Sequence, residues 1–352
     1  MTSTQEPTVQ EPLSGTGRDR STTFVGGLMG SSVGRNLGLV VALFILCLVG
    51  VATAGQQFAS VDNALTILRL AAVIGVVSVG MTFVITGGGI DLSVGAIVAL
   101  ASVWSTTLAT QTLARDVHWL LMVLTAVAVG LGCGLVNGLL VAYGRVVPFI
   151  ATLAMFSIGR GIALLLNDKL PVSLLDLNGG NFGDPAVFSL LWFGNGRILG
   201  IPVSVYVFLA VTIGAWVLLN RTRYGRYVVA VGGNREAARI AGVPVRRIIF
   251  SVYVLMGVLA GVATVLLCAR LGSASPVSGN LYELDAIGAV VIGGTSLAGG
   301  RASIVGTFLG VITFALIFSL MTQMNLSTEV QQVTKGLIVL GAVLLQRPEA
   351  RY

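Results

Sequence analysis

Residues 64–85 read ALTILRLAAVIGVVSVGMTFVI, a run in which Arg69 is the single charged side chain. A helix of that length rises about 33 Å, which matches the roughly 30 Å hydrocarbon thickness of a bilayer. Nine further apolar runs flank it: Leu37–Ala54, Ser93–Leu113, Trp119–Tyr143, Pro148–Leu166, Val203–Leu219, Ile248–Ala269, Ala286–Leu297, Ala302–Met321 and Val330–Leu345. The expected fold is therefore all-α, a polytopic membrane protein of about ten transmembrane helices. Ala286–Leu297 is too short for an ordinary span, so it reads as re-entrant or as a short buried helix. Gly293, Gly294, Gly299 and Gly300 lie at its far end, where Gly implies close packing or irregular backbone lining a cavity.

Composition agrees. Hydrophobic residues make up 55% of the 352 and charged residues only 10%, against about 25% in a soluble domain. That excludes a soluble enzyme, a nucleic-acid-binding protein and a disordered chain. The tail 1–36 is rich in Ser, Thr, Gly, Gln and Glu and reads as disordered. The membrane-spanning body covers 37–346, and 347–352 is a short C-terminal tail. The +7 net charge has a topological cause, because cytoplasmic loops collect Arg and Lys. With ten crossings and the N-terminus inside, fourteen Arg fall on the cytoplasmic side, and three Arg with one Lys fall outside. Both termini are thus expected in the cytoplasm.

Ionisable residues near the spans are few, and burying a charge in lipid is costly. Asp91 and Ser93 lie in Gly87-Gly-Gly-Ile-Asp-Leu-Ser-Val-Gly95, between two runs, where Asp91 reads as a helix N-cap or a pathway residue. Glu283 and Asp285 open the short run and invite the same two readings. Arg160 is mid-run, facing the protein interior toward a carbonyl or carboxylate, and Lys335 pairs similarly or snorkels. Cys47, Cys133 and Cys268 read as packed core thiols with neither metal-ligand nor disulfide spacing. His118 is the single histidine, which argues against a membrane enzyme. Gly294–Arg301 lacks the Lys that a phosphate-binding loop requires after its second Gly.

The basic stretch 221–247 is the most informative loop. Asn234 is a good N-cap, Glu236, Ala237, Ala238 and Ala241 form a short helix, and Gly242 with Pro244 ends it. Such a helix suits docking to a cytoplasmic partner.

This Glu-Ala-Ala…Gly pattern resembles the coupling loop of ABC importer permeases. More specifically, Gly80-Met-Thr…Gly89-Ile-Asp-Leu-Ser-Val-Gly95, Arg145-Val-Val-Pro-Phe-Ile-Ala-Thr-Leu153, Thr222-Arg-Tyr-Gly-Arg-Tyr227, Gly232-Gly-Asn234 and Tyr282-Glu-Leu-Asp-Ala-Ile…Gly293-Gly-Thr-Ser-Leu-Ala-Gly-Gly300 resemble, in order, the ribose-type monosaccharide permeases. The resemblance implies a homodimer in the bacterial cell membrane that moves a monosaccharide along the dimer interface. It also implies an extracytoplasmic sugar-binding protein and a separate cytoplasmic ATPase that uses ATP and Mg²⁺, so that the chain itself is no enzyme and holds no cofactor. The competing class is an ion-coupled secondary transporter of a small polar solute, which calls for buried carboxylates in the span centres.

Overall fold

The computed structural model describes residues 32–166, 170–174 and 185–345. The tail expected over 1–36 therefore lies outside the described residues up to 31, as does the one at 347–352. Residues 32–36 are already helical.

The element order is α1 Ser32–Phe58, α2 Val61–Thr86, α3 Val94–Ser105, α4 Leu108–Asp116, α5 Leu120–Ala142, α6 Pro148–Leu166, β1 Val172–Ser173, α7 Pro185–Asn195, β2 Arg197–Ile198, β3 Ile201–Pro202, α8 Val203–Arg221, α9 Arg223–Gly233, α10 Arg235–Ile240, α11 Val245–Leu271, β4 Ser273–Ala274, α12 Tyr282–Ile292, α13 Ile304–Gln323 and α14 Thr328–Leu345. The strands form only two short antiparallel pairs, β1 with β4 and β2 with β3. The fold is all-α and polytopic. Among the described residues, seven helices are long and apolar enough to cross a bilayer: α1, α2, α5, α6, α8, α11 and α13. α14 adds 18 residues that carry Glu329 and Lys335.

Two runs are shorter than a span, where the sequence suggested one. The run Ala286–Leu297 is helical only to Ile292. The run Ser93–Leu113 breaks at Thr106–Thr107 into α3, of 12 residues, and α4. Hydroxyls and an amide make that break tolerable by taking up freed carbonyls. Thr106 Oγ1 donates to Ser102 O at 2.8 Å, and Gln111 Nε2 donates to Thr106 O at 2.6 Å.

α2 and α11 form the buried centre, while α1 is peripheral and almost wholly exposed. In hydrocarbon, helices gain little by hiding apolar side chains from one another, so association favours small residues that let backbones approach. α5 and α11 show this. Gly130, Gly134 and Gly138 share one face of α5, and Gly257 and Gly261 share the facing side of α11. A Cβ on Gly130 would stand 2.3 Å from Gly257 O, and one on Gly257 would stand 2.2 Å from Gly130 O. Cys133 and Cys268 are buried as expected, but Cys47 lies on the exposed face of α1.

Overpacking at this crossing should be costly. Gly257→Leu is expected to lower the melting temperature of the detergent-purified protein, with a loss of about 1–3 kcal/mol or more. Gly132 lies on the open side of α5 with nothing within 4 Å, so Gly132→Ala should leave the melting temperature unchanged or raise it slightly.

Candidate functional site

The arginine-rich loop folds as two short helices, α9 and α10, laid against one end of the bundle. Asn234 sits between them with φ −156° and ψ 107°, and its Oδ1 accepts from the amides of Glu236 and Ala237, both at 3.0 Å. The expected N-cap is thus formed. Arg239 Nε donates to Glu236 Oε2 at 3.0 Å, and this bond holds the exposed Glu236 carboxyl below its ordinary range. Gly242 follows at φ +79°, the left-handed region where a residue without Cβ is at ease.

Sequence reading had all the small residues of this helix available for docking. Ala237 and Ala241 are exposed, but Ala238 is only 5% exposed and packs into the permease-side core. An inward Ala238 leaves room for the helix to lie close, so it belongs to the attachment and not to the outer surface. Ile240, at 76% exposure, takes its place there. Its signal was present in the sequence as a lone aliphatic residue among Arg, Glu and Ala.

α9 and α10 are joined to the bundle through backbone. A Cβ on Gly232 would lie 1.7 Å from Thr86 O, at the end of α2. Gly300 N donates to that same carbonyl at 3.0 Å, and Gly299 lies against Gly232 and Gly88. Arg235 Nη2 donates to Gly88 O at 3.2 Å. The loop helix therefore touches both the segment that leads into α3 and the segment that follows α12. Beside this junction opens a cleft of about 640 Å³, bordered by Arg145, Arg235, Gly88, Gly232, Pro148 and Ile249.

Asp91 lies just inside, 1% exposed. It does not cap α3 directly. Ser93 occupies the cap position with helical backbone angles and makes no side-chain cap bond. Instead Asp91 Oδ1 accepts from Ser93 N at 2.8 Å and from Ser93 Oγ at 2.6 Å, and Ser93 Oγ in turn accepts from Asn137 Nδ2 at 2.9 Å. Asn137 was missed, although it is the one carboxamide in α5.

Of the two acidic residues that open α12, neither is its cap; Leu281 holds that position without a side-chain bond. Asp285 pairs with Lys335 of α14 at 2.9 Å, both buried, with Nζ 4.0 Å from the centre of the Phe318 ring. An isolated intramembrane charge is so costly that the partner supersedes the cap. Glu283 lies against Gly95 at the start of α3. Arg160 faces inward as expected, its Nη1 donating to Pro276 O at 2.7 Å and Ser278 O at 3.1 Å.

The bundle thus holds two interrupted helices and is tied at one end to a short capped helix. A family model described as "Branched-chain amino acid transport system / permease component" matches residues 63–345. The chain belongs to that family. Every site residue above falls within the matched range. The permease is 42% identical over 316 residues to the ribose import permease protein RbsC of Bacillus subtilis (strain 168), covering 90% of this chain and 94% of that one. It is 40% identical over 306 residues to the ribose import permease protein RbsC of Escherichia coli (strain K12), covering 87% and 92%. It is 36% identical over 289 residues to the fructose import permease protein FruF of Bifidobacterium longum (strain NCC 2705), covering 81% and 77%. No solved structure matches it.

Two substitutions separate the cap from the inner network. Asn234→Ala should cost about 1 kcal/mol locally, seen as faster hydrogen exchange at the 236 and 237 amides with the rest of the permease unchanged. Asp91→Ala removes the acceptor for both the Ser93 amide and hydroxyl. It should lower global stability by about 1–3 kcal/mol, read as a fall in melting temperature.

Proposed function

We propose that this permease is the membrane-spanning subunit of an ATP-driven ABC importer for a monosaccharide, a ribose-like pentose or related sugar. An extracytoplasmic binding protein delivers the sugar, and a cytoplasmic ATPase subunit, using ATP and Mg²⁺, supplies the energy. The working unit is a homodimer in the bacterial cell membrane, with both termini in the cytoplasm. The Arg/Lys bias of the loops supports that orientation.

One observation carries the reading. α10 is capped at Asn234, presents Ala237, Ile240 and Ala241 outward, and is held to the bundle by backbone contact at Gly232 and by Arg235 on Gly88. A force on α10 therefore reaches the ends of both interrupted helices with little slack. The printed names of the relatives, ribose and fructose import permeases, favour a sugar as the cargo.

The ion-coupled alternative draws on three buried carboxylates, Asp91, Glu283 and Asp285, more than the sequence alone suggested. Two are already engaged: Asp285 by Lys335 and Asp91 by Ser93. Sugar uptake into vesicles driven by a proton gradient without ATP would favour that alternative.

Reporter fusions test the orientation: one active only in the cytoplasm should give signal at Tyr352, and one active only outside should give signal near Asn178. Coupling is tested by Ile240→Asp and Gly242→Asp. Ile240 is 76% exposed, so Ile240→Asp should insert and fold. Gly242 has open space around it, but φ +79° strains any side chain there, so Gly242→Asp should insert with some local loss of stability. Both should weaken co-purification of the ATPase and abolish sugar-stimulated ATP hydrolysis in reconstituted vesicles. Normal ATPase binding and transport in both would leave the loop a solvated basic surface.

A further inference from the structure

Arg160 stands twelve residues into α6, about 18 Å along a helix of roughly 28 Å. This is the depth of the hydrocarbon core, where a guanidinium needs a reason to be. Only one of its two terminal nitrogens is used. Nη1 holds the carbonyls of Pro276 and Ser278, while Nη2 is buried with no hydrogen-bond partner.

Glu283 shows the complementary deficit. It is 8% exposed, and its Oε2 has no hydrogen-bond partner. The carboxylate sits over Gly95, so close that a Cβ there would stand 2.6 Å from Oε2. α3 and α12 thus bring their N-terminal ends to one place, with neither end capped by its own cap residue. Arg160 approaches the same place through the loop that leads into α12.

That loop is irregular backbone between β4 and α12, with Val277 65% exposed and Asn280 exposed. Lipid cannot solvate such a segment, so at this depth it faces water or protein. Arg160 and Glu283 already attract one another as opposite charges, and each keeps one polar atom without a hydrogen bond, a donor and an acceptor, with no net charge together. An anion would be repelled by Glu283, and a cation by Arg160. A neutral solute with neighbouring hydroxyls suits both, one hydroxyl accepting from Nη2 and another donating to Oε2.

We propose that Arg160 and Glu283 form a hydroxyl-binding station for a neutral polyol inside the membrane-spanning region, between the two interrupted helices. The proposal rests on the permease reading and adds a site to it. The station is a waypoint: its two contacts hold the solute briefly while the ends of α3 and α12 shift.

The test uses the full transporter in vesicles, with permease, ATPase and binding protein. Wild type is first assayed for uptake of D-ribose, D-fructose, D-xylose and D-galactose. If it carries none, the monosaccharide reading fails in that arm, and the station with it. For a sugar that is carried, uptake is compared with its single-deoxy analogues in wild type, Glu283→Gln and Arg160→Gln. Glu283→Gln keeps the shape of the side chain and guards against misfolding. Each variant is expected to slow uptake of the full sugar roughly ten- to a hundredfold. In Glu283→Gln the melting temperature, ATPase co-purification and basal ATP hydrolysis should be retained. Arg160→Gln also loses the bonds to Pro276 O and Ser278 O, so its melting temperature should fall and its pattern across the deoxy analogues is the readout. One deoxy analogue that is slow in wild type should lose its disadvantage in the variant lacking the matching contact. Unchanged uptake in both variants overturns the station. So does an equal slowing of sugar and all analogues, which would mark the two residues as structural.

Discussion

The carbonyl of Thr86 occupies the space that any side chain at Gly232 would need. Much of the rest follows from that contact. It lets α9 end directly on the end of α2, and it brings Gly299 and Gly300 onto the same spot. Hydrogen bonds from Gly300 N and Arg235 complete the joint. Backbone-to-backbone contact is stiff, because no rotamer can absorb a displacement. The loop helix α10, only six residues long, is therefore joined through α9 and Arg235 to the end of α2 and to the segments that precede α3 and follow α12.

Interrupted helices are expensive in a membrane, and each break here is met locally. Thr106 and Gln111 serve the break after α3. Asp91, Ser93 and Asn137 form a chain of acceptors and donors before it. Asp285 and Lys335 neutralise one another beside α12. At Arg160 and Glu283 the accounting stays incomplete, with one polar atom of each unsatisfied. Buried polar groups are normally paired, and Gln111 Oε1 and Asn137 Oδ1 are open in the neighbouring networks as well; Arg160 and Glu283 differ in being a donor and an acceptor of opposite charge.

Much of this was legible in the sequence. Hydrophobic run length found the long helices, and Pro148–Leu166 matched α6 end to end, but α7 and α9, which lie in stretches of mixed and basic composition, were not read as helices. Asn234 and Gly242 were legible because caps follow local rules: an amide oxygen reaching back, a glycine at positive φ. Local rules failed where a distant partner intervened. Asp285 looked like a cap because the amides of its own first turn were the only donors visible nearby, and Lys335 is fifty residues away. Ala238 looked like surface because nothing in a six-residue helix says which side meets the bundle. The break at Thr106 escaped notice because Thr107, Thr110, Gln111 and Thr112 were absorbed into a run judged by its aliphatic residues, and only the third dimension shows where the hydroxyls turn.

The ion pair between α12 and α14 also bears on biogenesis. α14 carries Lys335 inward and Leu337, Leu340 and Leu344 outward. A lone lysine at a helix centre costs about 2.5–3.5 kcal/mol during translocon insertion, and α12, at 11 residues, is too short to cross unaided. Each segment is a poor substrate for the insertion machinery alone and a good one beside the other. The last fifth of the chain, from α12 onward, is thereby suited to partition into the bilayer as a unit that includes α13, after the earlier spans are in place. A ribosome that stops short of Lys335 would leave Asp285 without its counter-ion, a defect that membrane quality control can recognise.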